Sequence, residues 1–307
     1  MTIAIIDLGT NTFNLLVART HRQDFTSLYN EKQPVKLGSG GIHRGMITPD
    51  AFNRAVKAMT HYRKILEKWK PDEIRAYGTS ALRSARNGSD LIKNIFEKTG
   101  IRVKVISGKE EAGFVFRGIS AAISLDEPYL VMDIGGGSVE FILANKKEKW
   151  WEQSFPLGIA RLLARFHPSD PVSDLDIKNI EEYLGEQLEP LIVRIRETSP
   201  QWLVGASGTF DTLYSIAVSA GTINEEPGKT VHAIPATVFR QLYDKLIASS
   251  YAVRRSMPGL VWYRADMIVV AAIFVNFVLS GLDADKIIQT SYALKEGAVL
   301  HRMEQMQ

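Results

Sequence analysis

Cysteine is absent from all 307 residues. That excludes disulfides, thiolate metal sites and a thiol nucleophile together, and it fits a reducing, cytoplasmic setting. The six histidines are scattered without ligand spacing. Long apolar runs are also missing. The most apolar stretch, Met267 to Leu279, falls well short of the roughly 20 residues that cross a bilayer, so it is expected to be a buried core helix, with no membrane partner. The N-terminal "MTIAIIDLG" has neither a basic leader nor a cleavage site and reads as a strand of the mature protein. Charge of one sign is not in excess: 37 basic residues stand against 34 acidic ones, a net charge of +3. That balance is too even to call for nucleic acid and permits only a modest preference for anions.

What is present is an ordinary globular composition, 45% apolar and 23% charged, in a chain long enough for two domains. Three short strand-like runs open it, Ile3 to Asp7, Phe13 to Arg19 and Asp24 to Asn30. A helix then starts at Pro49 behind the N-cap Thr48 and ends before Pro71. A strand at Ile74 to Tyr77, a helix from about Asp90 to Lys98, a strand at Val103 to Ile106 and a helix over "SGKEEAGFVFRGISAAI" follow. The pattern restarts with strands Tyr129 to Asp133, Val139 to Asn145 and Trp150 to Phe155. Beyond Ser173, whose spacing to Asp176 fits a capping box, one long helix is expected to about Thr198, then a strand at Trp202 to Val204. Superposing Asp7 on Asp133 places Gly9 on Gly135 and Asn14 on Glu140. Two copies of one pattern predict two related α/β halves with a binding cleft between them.

In each half a hydrophobic strand ends in aspartate and enters a turn of glycine and small polar residues: "DLGTNT" at Asp7 and "DIGGGS" at Asp133. Glycine admits φ > 0 and lets backbone N–H groups converge on an anion. The aspartates cannot favour phosphate by themselves, but become sensible if a cation such as Mg²⁺ lies between. An isolated glycine turn would most simply be a tight hairpin; the duplication argues for two phosphate cradles. Gly38, Gly40 and Gly41 read as a flexible loop, Arg86 as a neighbour of Arg83 on one helical face or an exposed solubilising residue, and Arg264 with Asp266 as an ion pair at a helix start. Glu110 and Glu111, on residues alone, are the acidic first turn of a helix.

The ordered segments "AIIDLGTNTFNLLV", "YGTSALRSARN", "VISGKEEAGF", "VMDIGGGSVEF", "GASGTFDTL" and "RADMIVVAA" resemble the exopolyphosphatase and guanosine pentaphosphate phosphohydrolase family of the actin-like superfamily, over nearly the whole chain and in its short form. The resemblance implies two ribonuclease-H-like domains with mixed sheets flanking a cleft, at 1–124 and 125–292, with a last helix over 293–307 packing back on the first. It implies hydrolysis of a terminal phosphoanhydride bond in polyphosphate or guanosine pentaphosphate, Mg²⁺ as the cofactor with no organic one, and a homodimer. Glu111 is the implied catalytic glutamate, which activates the attacking water, and Arg83 the substrate-binding arginine. Gly9, Thr10, Asn11, Thr12, Gly135, Gly136, Gly137, Ser138 and Gly208 would hold phosphate; Asp7, Asp133 and Glu140 would hold metal, some through water. Two positions depart from the family pattern. Val139 stands where threonine is common, which would remove a hydroxyl beside the metal or phosphate, and Gly113 stands where arginine is frequent. A kinase of the same superfold, or a non-catalytic sensor of polyphosphate or guanosine pentaphosphate, are the alternatives; transfer to an acceptor, or binding without turnover, would distinguish them.

Overall fold

The computed structural model describes residues 1–22 and 24–306. The first half contains β1 (Thr2–Leu8), β2 (Thr12–Thr20), β3 (Phe25–Pro34), α1 (Pro49–Trp69), β4 (Glu73–Gly78), α2 (Ser80–Ser84), α3 (Gly88–Thr99), β5 (Val103–Val105) and α4 (Gly108–Ala122). The second contains β6 (Tyr129–Ile134), β7 (Val139–Ala144), β8 (Lys149–Phe155), α5 (Ile159–Phe166), α6 (Asp174–Gln187), α7 (Glu189–Thr198), β9 (Trp202–Ala206), α8 (Ser207–Ser219), β10 (Val231–Pro235), α9 (Ala236–Ile247), α10 (Tyr251–Arg255), α11 (Ile268–Ser280) and β11 (Lys286–Thr290), followed by α12 (Leu294–Glu304).

Both sheets are mixed and share one plan. The first runs β3-β2-β1-β4-β5 and the second β10-β11-β9-β6-β7-β8. In each, the aspartate-bearing strand is antiparallel to the strand after its turn and parallel to a later one: β1 to β2 and β4, β6 to β7 and β9. The register makes the repeat literal, because Asp7 lies opposite Asn14 and Asp133 opposite Glu140. The sequence pattern named neither β10 nor β11, short strands between helices, of which β10 is the sheet edge and β11 lies between it and β9.

Helices α1 and α3 bury Ala51, Met59, Leu91 and Ile95 in the first core. In the second core, α11 contributes a nearly continuous apolar surface from Ile268 to Leu279. A third cluster lies between the sheets, where α4 and α12 meet Ile3 and Ile5 of β1 and Tyr129 and Val131 of β6. Those two helices cross at Gly118 and Gly297, where backbone approaches so closely that a Cβ on either glycine would enter the other helix. The final helix thereby packs on α4, β1 and β2.

Local signals explain the element ends. Thr48 Oγ1 accepts from the Ala51 N–H and α1 stops at Trp69, before Pro71. The Ser173–Asp176 capping box forms. The single long helix expected beyond it is instead two, α6 and α7, broken at Leu188. Pro190 has no N–H to continue the ladder and serves as an early residue of a new helix. Arg86 is not on a helical face shared with Arg83, since α2 ends at Ser84 and Ala85 is extended. Asp266 does not pair with Arg264; it meets Lys36 of the other half at 2.7 Å. No helix among the described residues is long and apolar enough to cross a membrane.

Candidate active site

The two glycine turns face each other across the gap between the sheets. Their proximity revises the reason for the glycines. None of Gly9, Gly135, Gly136 and Gly137 has a positive φ. A Cβ on Gly137 would instead lie 2.6 Å from Thr10 Oγ1 and from Ser80 Oγ, and one on Gly136 would overlap the Asn11 amide. At Gly136 and Gly137 the side chains are missing because Asn11 and Thr10 of the opposite hairpin, with Ser80 of α2, occupy their space, whereas Gly9 and Gly135 are closed by the Thr12 and Ser138 carbonyls of their own turns.

The backbone carbonyls of both turns are held outward. Thr10 C=O accepts from the Gly38 N–H, and Asn11 C=O from the N–H groups of Val35 and Lys36. Segment 35–38 is therefore scaffolding for the first turn, so Gly38 does not belong to a loose loop as its run with Gly40 and Gly41 suggested. On the second turn, Gly135 and Gly136 carbonyls accept from Ile159 and Ala160 at the start of α5. No protein acceptor is found among the described residues for the N–H groups of Gly136, Gly137 and Ser138. Successive unpartnered N–H groups on a buried turn form a concavity suited to an anion. Thr10 Oγ1, also buried, has no partner either.

A cavity of about 110 Å³ between the turns is lined by Asp7, Gly9 to Thr12, Asp133, Gly135 to Ser138, Glu140, Glu111 and Gly208. Arg83 is not on it. It lines an adjoining cavity of about 610 Å³, which shares Ser80 and Ser138 with the first. The two expected catalytic residues nevertheless meet, because Arg83 Nη1 donates to Glu111 Oε2 at 3.0 Å and to the Ile106 carbonyl at 2.8 Å.

The acids are held in unlike ways. Asp7 accepts from Asn14 Nδ2 at 2.8 Å, yet burial pushes its carboxyl up to about 7, with the Asp133 charge adding to the rise. Asp133 is pushed up to about 6, chiefly by burial, against a stabilising hydrogen bond from Ser207. Glu140, 2% exposed, accepts from Ser154 Oγ at 2.7 Å. Burial, then the charges of Glu111 and Asp133, hold it well above the usual carboxylate range. Glu111 is pushed up to about 7 by burial, opposed by Arg83. Four acids in one dry space disfavour their own ionisation, an arrangement that a cation or a proton must offset.

Among the described residues, no group of three or more His, Asp or Glu side chains is arranged to hold a metal by itself. Asp7, Asp133 and Glu140 are thus not a closed ligand set. The donor chemistry still fits Mg²⁺, which takes oxygen donors, keeps much of its water and commonly uses one or two carboxylates plus substrate phosphate.

Val139 does not border the cleft. Its neighbours Ser138 and Glu140 do, whereas Val139 is fully buried in the core of the second half, as alternation along β7 requires. Threonine's absence there removes no hydroxyl from the site. Gly113 on α4 has open space where a side chain would stand.

Several lining residues were not among the expected site residues. Lys32 and Asp211 bridge the two halves at 2.7 Å, and Arg264 lies against Gly208, leaving no space for a Cβ. Ser207 adopts a left-handed φ of 66° at the start of α8, a strained conformation of the kind that clusters at functional sites. Lys295, 8% exposed, pairs with Glu296 at 2.7 Å on the cavity wall. The doublet "KE" at the head of α12 was its one legible signal.

The family model described as Ppx/GppA phosphatase family matches residues 16–306. The chain is 26% identical over 307 residues to exopolyphosphatase 1 of Mycobacterium bovis, covering 99% of this chain and 89% of that one. Among solved structures, an exopolyphosphatase from Cytophaga hutchinsonii superposes with a TM-score of 0.96 at 39% identity, covering 99% and 98% of the two chains. The Aquifex aeolicus family member superposes with a TM-score of 0.81 at 21% identity, covering 100% and 99%, a likeness of fold. With two mixed α/β lobes of actin-like plan, an aspartate-led turn on each and a match along nearly its full length, the chain belongs to the Ppx/GppA phosphatase family.

Proposed function

We propose that the cleft hydrolyses the terminal phosphoanhydride bond of inorganic polyphosphate, guanosine pentaphosphate being the second candidate substrate. One observation carries the reading: buried Glu111, the unpartnered N–H groups of the second turn and the unpartnered Thr10 hydroxyl of the first converge on a single cavity. The similarity to chains named exopolyphosphatase favours polyphosphate of the two.

In this mechanism the N–H groups of Gly136 to Ser138, with the Thr10 hydroxyl, bind the terminal phosphoryl oxygens and fix it for in-line attack. Glu111 orients a water and accepts its proton; a carboxyl raised toward neutrality is a competent base near pH 7. Arg83 holds the Glu111 carboxylate in place and adds positive charge beside the reacting group. Asp7, Asp133 and Glu140 would hold Mg²⁺, which when bound supplies charge neutralisation for the phosphate oxygens. Arg264, on the cavity wall, offers positive charge to a polyanion, whereas Lys32 beside it is already paired with Asp211.

Residues 1–124 with 293–307 are proposed to close as one body against 125–292, in a homodimer of the cytoplasm; sedimentation tests the dimer. The functional test is orthophosphate release from long-chain polyphosphate and from guanosine pentaphosphate with Mg²⁺, by wild type and Glu111→Ala. No release from either substrate overturns the reading, and equal rates for the two proteins remove Glu111 from it.

A further inference from the structure

The three carbonyls of the turn 135–137 are captured by three consecutive residues of α5. Ile159 N–H meets Gly135 O at 3.1 Å and Ala160 N–H meets Gly136 O at 2.8 Å. The third is taken by a side chain, with Arg161 Nε donating to Gly137 O at 2.8 Å. The first N–H groups of a helix lack partners within it, so the turn completes α5 as α5 fixes the turn. Gly158, at the N-cap, lies so close to the peptide between Gly136 and Gly137 that no Cβ could be accommodated.

This matters because a trans peptide is planar, with its C=O and the following N–H on opposite sides. Holding the carbonyls of residues 135, 136 and 137 toward α5 turns the N–H groups of 136, 137 and 138 the other way. Of the three anchors, only Arg161 is a side chain, and it also hydrogen-bonds to the other half of the molecule, where Nη2 donates to Ser84 Oγ at 2.9 Å at the end of α2. Both partners are neutral. Arg161 also lines the 610 Å³ cavity beside Arg83.

We propose that Arg161 is a positioning residue for the phosphate-binding turn: it fixes the Gly137 carbonyl outward, and its bond to Ser84 ties that setting to the approach of the two halves. The inference rests on the reading of the turn as a phosphate site. A flexible Gly137 peptide can rotate once its carbonyl is released, which misdirects the Ser138 N–H at the reacting phosphoryl group. Geometry errors of this size cost up to about 100-fold in rate.

The experiment compares wild type, Arg161→Ala, Arg161→Lys and Ser84→Ala in steady-state polyphosphate hydrolysis, tripolyphosphate binding by calorimetry and thermal unfolding. Arg161→Ala is expected to lose about 10- to 100-fold in kcat/KM. Arg161→Lys is expected to lose nearly as much, because a lysine keeps the charge but not the two-pronged planar donor. Free guanidinium ion, entering through the open cavity, is expected to restore part of the activity of Arg161→Ala and none of that of Arg161→Lys. Ser84→Ala, which leaves the turn's own bonds intact, is expected to raise KM by about 3- to 10-fold and to be non-additive with Arg161→Ala; it is also the decisive variant should the arginine substitutions prevent folding. Wild-type activity in Arg161→Lys, or strict additivity with Ser84→Ala, overturns the proposal. If wild type neither hydrolyses polyphosphate nor binds tripolyphosphate, the reading of the cleft itself fails, a result distinct from failure of Arg161 alone.

Discussion

Glu110 and Glu111 are adjacent in the chain and face opposite surroundings. Glu110 closes a capping box with Ser107 and meets Lys104 at 2.8 Å, its side chain 44% exposed; Glu111 turns into the cleft against Arg83. A helix turns about 100° per residue, so two consecutive acids at its start cannot share a face. One serves the helix and the other the cavity.

Substitution should separate them. Glu111→Gln preserves shape and removes the base, and kcat is expected to fall by about 10²- to 10⁴-fold. Glu110→Gln should leave kcat within about twofold. Phosphate release under saturating polyphosphate is the measurement, and a comparable loss in both variants would point to disruption of α4 in place of chemistry.

The pH profile carries a second signature. Glu111 accepts a proton only when ionised, and burial pushes its carboxyl up to about 7. kcat/KM should therefore rise with pH through that region. Arg83 opposes the upward shift, so Arg83→Met should move the acidic limb to higher pH as well as lower the plateau. A limb that stays fixed in Arg83→Met would show that another group sets it.

Glu110 carries the opposite pKa shift, and its signature is in stability. Its carboxyl is held down to about 2, by Lys104 first and then by the Ser107 N–H. A depressed acid stabilises the fold above its unfolded value near 4.5, and that contribution is lost as pH falls toward 2. Glu110→Ala should cost about 1 kcal/mol at pH 7, the usual size of a helix-cap loss. The difference from wild type should shrink between pH 5 and 3 in urea titrations.

The crossing of α4 and α12 gives a packing prediction. A Cβ at Gly297 would run into the Phe114 carbonyl, and neither helix can retreat from a core that includes Ile119, Ala298 and Val299. Gly297→Ala should destabilise by about 1–3 kcal/mol, despite alanine's better helix propensity. Because α12 also carries Lys295 to the cavity wall, activity should fall along with the urea midpoint.

Much of this was legible because the chemistry is local in sequence. Asp7 and Asp133 end strands and enter turns, and the duplication that puts Asn14 and Glu140 opposite them follows from a repeated pattern. Capping at Thr48 and Ser173 was readable for the same reason. What escaped was long-range. That Gly136 and Gly137 are small to admit Asn11 and Thr10, that segment 35–38 anchors the first turn, and that Asp266 answers Lys36 are facts of how two halves meet, and no spacing within either half encodes them. Pro190 was the exception, a local signal whose break in the helix went unread.

The crowded acids yield a last prediction, about cations. Asp7 and Asp133 share the cavity with Glu111 and Glu140, and each raises the cost of ionising the others. At pH 8 with a chelator, that repulsion should lower the thermal midpoint, and adding Mg²⁺ should raise it, since a ligand bound only by the folded state stabilises it. Asp133→Asn removes one charge from the cluster. Its midpoint in chelator should therefore exceed that of wild type, by about 2–4 °C per kcal/mol relieved, while its response to Mg²⁺ shrinks and its activity disappears. A variant that is more stable without metal and inactive with it separates a cation site from a structural carboxylate, whose loss would lower stability under both conditions.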